Sequence, residues 1–505
     1  MRRQLRPIAS SPRAGSGLGG GPGRADGGQS SLSNGRRIGF LAICCLSLFI
    51  IQLDVTIVNV ALPSIGRELH ASVSGLQWTI DAYTLVIASL LILAGSTADR
   101  IGRRKVFRIG LWVFTLGSAA CSLAPSLAWL VVFRIVQAIG GSMLNPVAMS
   151  IIRNTFDDPR ERAQAIGIWG AVTGLGMAIG PVLGGALVQS VGWRSIFWVN
   201  IPVGLAAVML TTLFVPESKA PAGRRTDPLG QVLVTVMLAS LTYGIIEGPE
   251  RRWSSPEIRS LFALSLVGVV TFVAWEKRRR QPLVEMRFFR SVPFTAATVI
   301  AVVSFVAFGG FLFLNTLYLQ EVRGLSALRT GLDTLPMAAA MAVMSSISGR
   351  LVGRLGTRPS LVFAGTCMAA ATLLLIGLSP TTSFAQLFLA YVIFGAGFGA
   401  VNAPITNTAV SGMPASQAGV AAALASTSRQ IGATLGVAIV GSAAAAGLAH
   451  GVVTRHFAEA THVCWWILTG CGGAVLLLGL FSTTGWALET AARAAERLEV
   501  GGSSR

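Results

Sequence analysis

The chain has 505 residues, 52% of them hydrophobic and 12% charged, with mean hydropathy +0.66 and a net charge of +19. Soluble domains carry about 25% charged residues and a spanning helix takes about 20 apolar ones. Apolar runs of that length recur almost end to end here, which excludes soluble enzymes and disordered scaffolds. The runs do not alternate as a membrane barrel would, so the chain reads as an all-α polytopic membrane protein.

Residues 1–37 are rich in Gly, Ser and Arg, with Asp26 as the one acid. They hold no apolar stretch of their own, so they read as a disordered cytoplasmic tail rather than a signal peptide. Fourteen apolar runs follow, at 38–62, 78–98, 106–124, 128–152, 164–188, 195–214, 229–247, 259–275, 294–319, 330–349, 359–379, 384–408, 417–447 and 463–486. The seventh and eighth are short, and residues 487–505 read as a second cytoplasmic tail. The basic residues test the count, because cytoplasmic loops gather Lys and Arg. With the N-terminus inside, the inner segments hold 30 of the 40 basic residues and the outer loops 8, while Arg134 and Arg429 fall within spans. Losing one span would reverse every later loop and destroy this asymmetry. Both termini are therefore expected in the cytoplasm of a cell whose cytoplasmic membrane the chain crosses. The six cysteines lie in apolar runs without a CxxC pair, which argues against metal or disulfide roles.

An internal repeat emerges from the span ends. The second span ends in Gly95-Ser96-Thr97-Ala98-Asp99-Arg100-Ile101-Gly102-Arg103-Arg104, and the tenth in Gly349-Arg350-Leu351-Val352-Gly353-Arg354-Leu355-Gly356-Thr357-Arg358. Asp81 opens the second span and Asp333 the tenth, while Asn145-Pro146 and Asn402-Ala403-Pro404 mark the fourth and twelfth. Two related six-helix halves, 38–214 and 292–486, enter the membrane from the same side, and an inserted hairpin over 229–275 has no counterpart. Parallel halves are a transporter architecture with the substrate path between them.

These motifs resemble those of the major facilitator superfamily, and within it the fourteen-helix drug:proton antiporter family. The resemblance covers about residues 38–486. The loop GSTADRIGRRK is similar to the superfamily signature G-x-x-x-D-R-x-G-R-R. Leu53-Asp54-Val55-Thr56-Ile57-Val58-Asn59-Val60-Ala61-Leu62-Pro63 resembles the family's first-helix motif. Arg134-Ile135-Val136-Gln137-Ala138-Ile139-Gly140 is close to R-x-x-Q-G-x-G, with Ala138 in place of a Gly. Gly176 through Gly185, with Gly180, Pro181 and Gly184 inside it, is similar to the antiporter motif. The resemblance implies proton-coupled export of hydrophobic or amphipathic drugs, with Asp54 as the proton site.

The residues carry their own physical reading. A charge deep in a span costs about 3 kcal/mol on insertion scales, so Asp54 must be protonated part of the time or paired; a proton-coupling role and a structural hydrogen bond are the two readings. Arg134 cannot shed its proton and needs an acceptor. It either tunes a carboxyl such as Asp54 or anchors its helix, and Gln137, one turn along, could share the network. Gly95, Asp99, Arg100, Gly102, Arg103 and Arg104 read as a conformational latch that also serves topology, with Asp99 bonding a helix N-terminus or an Arg across the bundle. Gly353 replaces the Asp in the second copy. Gly176, Gly180, Gly184 and Gly185 form a small-residue packing face with Pro181 as a kink point. Asp81 and Asp333 are expected to flank the outer mouth, as substrate or proton groups or as interface residues; Glu247 reads as an exposed interface residue. Arg429, within the thirteenth span, needs an acceptor that the sequence does not identify.

No Gly-Lys pair exists for a phosphate-binding loop, and H-E-x-x-H and G-x-S-x-G are absent. His70, His450, His456 and His462 are placed in outer loops without metal spacing. No cofactor, metal or nucleic acid is expected; the partners are a small-molecule drug or antibiotic, protons and the bilayer, and the chain is expected to work as a monomer. A dedicated exporter of one natural product, or a metabolite facilitator, is the alternative within carriers. The Arg-, Ala- and Gly-rich composition fits a high-GC bacterial genome. Cargo is expected between the halves, in a largely apolar cavity lined by spans 1, 2, 4 and 5 and their counterparts.

Overall fold

The computed structural model describes residues 34–156, 158–219, 227–279, 282–411, 413, 417–448 and 453–503. In chain order its helices are α1 (Asn34–Leu69), α2 (Val73–Ile101), α3 (Arg103–Ser122), α4 (Leu127–Thr155), α5 (Pro159–Ser190), α6 (Ser195–Trp198), α7 (Asn200–Phe214), α8 (Pro228–Arg251), α9 (Pro256–Arg278), α10 (Val292–Leu317), α11 (Ala327–Asp333), α12 (Leu335–Leu355), α13 (Arg358–Leu373), α14 (Phe384–Val410), α15 (Ala418–Leu448), α16 (Val453–Ser482) and α17 (Gly485–Ser503). Short polar residues set many of the starts by accepting a hydrogen bond from an amide three residues on. Ser72, Asp227, Ser255, Ser291 and Ser383 do so for α2, α8, α9, α10 and α14. In α8, α9 and α10 a proline follows within the first two positions, where its missing N–H costs nothing.

Eleven helical segments among the described residues are long and apolar enough to cross a membrane. They include the hairpin helices α8 and α9, which run longer than their apolar cores suggested. Helices also lie over the third, eleventh and thirteenth expected spans, but α3, α13 and α15 are not among the eleven segments found in the described residues. Four basic residues crowd the first turns of α3, and α13 has 16 residues. Leu116, Leu213, Leu266, Val343 and Leu477 are exposed on the outside of the bundle, the surface a lipid solvent favours over water.

Three expectations change. The last expected span begins at Val453 rather than 463, so His456 and His462 fall within α16 rather than in an outer loop; His450 lies outside the described residues. Residues 487–505 are not a plain tail: 487–503 continue α17, which turns Ala487, Ala491, Ala494 and Leu498 inward at helical spacing and accepts the Val292 amide on the Thr490 hydroxyl at 3.0 Å. Of the N-terminal tail, residues 1–33 lie outside the described residues, and 34–37 begin α1.

One end of the bundle, here the near end, holds Asn34, Gly102 and Gly356; the far end holds the turns after α1 and α10. Both copies of the repeat break their helix on a glycine of left-handed φ, +122° at Gly102 and +79° at Gly356. The α1–α7 and α10–α16 groups meet toward the far end. Gln320 donates to the Val60 carbonyl at 2.8 Å, Gln77 to those of Val437 and Ala438 at 3.0 and 2.9 Å, and Thr434 to Thr84 at 2.9 Å. Arg67 pairs with Glu321 at 3.7 Å. Helix α8 lies over this seam and touches both sides of it: Trp78 of α2 donates to Glu247 at 2.9 Å, Gln231 donates to the Ser89 carbonyl at 2.5 Å, and Ser442 of α15 donates to the Ile245 carbonyl at 2.6 Å.

Candidate functional site

Asp54 of α1 and Arg134 of α4 form an ion pair at 2.5 Å with both side chains closed to solvent. Arg134 and Gln137 stand three residues apart, so they share one face of α4, and α1 meets that face. Gln137 donates to the second Asp54 oxygen at 2.8 Å and accepts from Arg134 at 2.8 Å. Arg134 also donates to the Thr79 carbonyl of α2 at 3.2 Å, and its guanidinium lies 4.1 Å from the centre of the Tyr83 ring. Asn200, at the start of α7, donates to Asp54 at 2.9 Å and to Ser118 of α3 at 3.1 Å. The carboxylate thus accepts from three side chains on α4 and α7, and through Arg134 and Asn200 the network reaches α2 and α3 as well. Burial of a charge is tolerable only with such pairing and hydrogen bonding.

Asn200 and Glu217 were not picked out from the sequence. Asn200 had a signal: it is a lone amide inside the apolar run 195–214. Glu217, after α7, accepts from the backbone amides of Arg104 and Lys105 at 3.1 and 3.2 Å. It therefore fills the helix-N-terminus role expected of Asp99, placing a negative charge where the α3 dipole favours one. Asp99 instead takes Arg103, four residues on, at 2.8 Å. Arg104 donates to the Thr212 carbonyl at 2.6 Å, and the Arg103 backbone amide donates to the Ser218 carbonyl at 2.9 Å. Gly102 is required twice over: its φ is left-handed, and a Cβ there would lie 2.5 Å from a Glu217 carboxylate oxygen. Gly95 faces Pro146 of α4, and Arg100 lies exposed at the end of α2.

The glycine run of α5 divides between two neighbours. Gly176, Gly180 and Gly184 stack along α1; added Cβ atoms there would lie 3.0 Å from Gln52, 2.0 Å from Thr56 and 2.6 Å from Ile57. This clamps the turn of α1 that carries Asp54. Gly185 faces the Ala327 carbonyl at the start of α11, and the Pro181 carbonyl faces Gly331, so the same run closes α5 onto the other half.

Asp81 does not flank an open mouth. It is fully buried within α2, with one oxygen 3.5 Å from the Thr84 hydroxyl and the other without a partner. The halves close over it, because α15 packs against this part of α2. Asp333 ends α11 and pairs with Arg329 at 3.0 Å, leaving its other oxygen buried without a partner. Glu247 is mostly buried and paired with Arg251 at 3.2 Å rather than an exposed interface residue. Arg429 donates to the Thr406 hydroxyl of α14 at 3.3 Å.

A cavity of about 20 Å³ lies between the halves beneath the far-end contacts, lined mainly by apolar groups with Thr56, Asn59, Pro181, Asn315, Thr330 and Thr334 among them. It holds roughly one water, and no drug. Its walls come from α1, α5, α10, α11 and α12; α2 and α4, expected among them, do not line it.

A two-half helical bundle with buried charges in α1 and α4 and a glycine-bearing turn repeated after α2 and α12 defines a membrane transporter rather than an enzyme. The chain matches the Major Facilitator Superfamily over residues 44–437 and belongs to it. It is 40% identical over 403 residues to Multidrug resistance protein Stp of Mycobacterium tuberculosis, covering 80% of this chain and 75% of that protein. It is 36% identical over 402 residues to the Tetracenomycin C resistance and export protein of Streptomyces glaucescens, covering 79% and 74%. With the Methylenomycin A resistance protein of Bacillus subtilis it shares 33% identity over 417 residues, 82% and 88% of the two chains. The fold is also that of a D-xylose-proton symporter (TM-score 0.64, 14% identity, covering 88% and 97%) and of a bacterial Spinster homologue in an inward-facing, unoccupied conformation (TM-score 0.62, 19% identity, 92% and 98%).

Proposed function

We propose that this protein exports hydrophobic or amphipathic drugs across the cytoplasmic membrane in exchange for protons, as a fourteen-helix drug:proton antiporter. The observation that carries the reading is the solvent-free Asp54–Arg134 pair, held by Gln137 and Asn200. Asp54 is the group in this network that can take up a proton and lose its charge; Arg134 cannot shed one. Protonation of Asp54 releases Arg134 to Gln137, the Thr79 carbonyl and the Tyr83 ring, and so loosens α1 from α4. Because Asp54 has no exposed surface in this conformation, its proton exchanges only when the helices move, which is the condition for coupling rather than leak.

The remaining assignments follow the same reading. The positive-inside asymmetry supports a cytoplasmic near end with both termini inside, so this conformation is closed to the outside. The halves are 38–214 and 292–486, and the 229–275 hairpin is an insert that braces their seam. Gly176, Gly180, Gly184 and Gly185 with Pro181 let α5 hold α1 and seat α11. Gly95, Asp99, Arg100, Gly102, Arg103 and Arg104, with Glu217, form the near-end latch. Asp81 and Asp333 are the further acids available to protons. The relatives named for tetracenomycin C and methylenomycin A favour a second reading, in which one natural product is the cargo.

The test is purified protein in liposomes with an imposed pH gradient. Uphill drug transport that collapses with the gradient supports antiport, and saturating transport indifferent to the gradient leaves a facilitator. A susceptibility panel with and without the gene separates many cargoes from one.

A further inference from the structure

Arg429 stands apart from the arginines paired inside the bundle. Asp54 is matched by Arg134, Asp333 by Arg329 and Glu247 by Arg251. Arg429 sits eleven residues past the first residue of α15, and among the described residues it meets no carboxylate. One of its five N–H donors reaches the Thr406 hydroxyl. Protein surrounds it on nearly every side, yet its side chain keeps partial solvent exposure. That combination belongs to a group projecting into an interior space rather than packed in a core or spread on the lipid face. Thr406, its one acceptor, is exposed close to the near end of α14, and Asn402, one turn up the same helix, is partly exposed. The bonds joining the halves described above lie toward the far end, so this space is reached from the near end.

A guanidinium is always charged and presents a planar fork that fits a carboxylate with two parallel hydrogen bonds. Left without an anion in a low-dielectric interior it is costly, and among the described residues no side chain supplies one. We propose that Arg429 recognises cargo: it binds the carboxylate or enolate of an anionic amphiphile entering between the halves from the near end, with Thr406 completing the contact. This rests on the export reading above and names its substrate class. Among the described residues the acids of the bundle are paired or sealed from this space, so a cationic drug finds no counter-charge among them and Arg429 disfavours it.

The test uses three ligands of one shape on purified protein in nanodiscs, measured against empty nanodiscs: 1-pyrenebutyrate, the neutral 1-pyrenebutanol, and the matching trimethylammonium cation. The wild-type protein should bind the acid about tenfold more tightly than the alcohol, and the cation most weakly. Arg429→Gln should abolish the preference while leaving alcohol binding within about twofold; Arg429→Lys, which keeps the charge but not the fork, should keep part of it. Equal wild-type affinity for acid and alcohol overturns the proposal, and so does loss of alcohol binding in the Gln variant alongside the acid. Gradient-driven export of 1-pyrenebutanol by both proteins separates the two readings. If wild type exports none, the export reading falls while the binding contrast still decides Arg429. If both export it and the acid preference is absent, the export reading stands and Arg429 has no part in recognition.

Discussion

Replacing Asp54 by Asn separates stability from coupling. The carboxylate accepts from Arg134 at 2.5 Å, Gln137 at 2.8 Å and Asn200 at 2.9 Å. An Asn there can keep one acceptor, and the Asn200 amide, whose own oxygen is buried and unpartnered, can turn to accept from the new N–H. The fold therefore survives locally, but Arg134 is left as an uncompensated buried cation, a loss of about 3–5 kcal/mol. Arg134→Gln alone leaves the opposite uncompensated charge, at similar cost. Replacing both removes the charges together and should recover most of the stability, because a buried pair exchanged for neutral groups is often near neutral. Thermal unfolding in detergent reads the first quantity and gradient-driven transport in liposomes the second. Stability should fall in each single variant and return in the double variant, while uphill transport stays absent wherever Asp54 is lost. Uphill transport at wild-type rate in Asp54→Asn, or its return in the double variant, refutes the assignment.

Three further perturbations test the frame around the pair. Gly102→Ala should destabilise the α2–α3 turn by about 1–3 kcal/mol, since the alanine must hold a φ of +122° beside Glu217; Gly349→Ala, inside α12 with nothing within 4 Å, should instead stabilise by up to about 1 kcal/mol. Asp227 caps α8 outside the span. Burial alone would raise its pKa, but the Gly230 amide, Arg279 and Trp275 outweigh that and hold it below the usual carboxylate value. Its depressed pKa contributes stability above the unfolded value, so Asp227→Asn should unfold earlier at neutral pH, and the difference should shrink as pH falls through about 4 and below. Deleting the hairpin and rejoining 214 to 292 with a flexible loop should lower stability, because α8 bonds to both halves, yet keep measurable proton-coupled transport; complete loss in a folded, inserted protein would place the hairpin in the transport machinery.

The buried pair was legible in the sequence because Asp54 and Arg134 are charges within apolar runs, and a charge there needs a partner. The partner itself was legible only as a candidate, since α1 and α4 are 80 residues apart in the pair and nothing local fixes their facing surfaces. Gly102 and Gly356 were readable as turn glycines from the repeat. Glu217 was not, because an acid in a loop carries no topological signal, and its meeting with the α3 amides depends on where α7 ends. Asp81 was misplaced for a related reason: its position near the start of an apolar run suggested an outer edge, but α2 begins at Val73 and α15 closes over it. The helix over 487–503 escaped notice because its inward face is mostly alanine, a weak apolar stripe on a charged segment.

The central claim is that one buried carboxylate links proton and cargo, and ligand binding across pH tests it most directly. With 1-pyrenebutanol, which does not titrate, the account predicts that affinity for purified wild-type protein weakens as pH falls, since cargo favours the state with Asp54 charged. The dependence should vanish in Asp54→Asn. A wild-type affinity independent of pH, or an unchanged slope in the Asn variant, would contradict it.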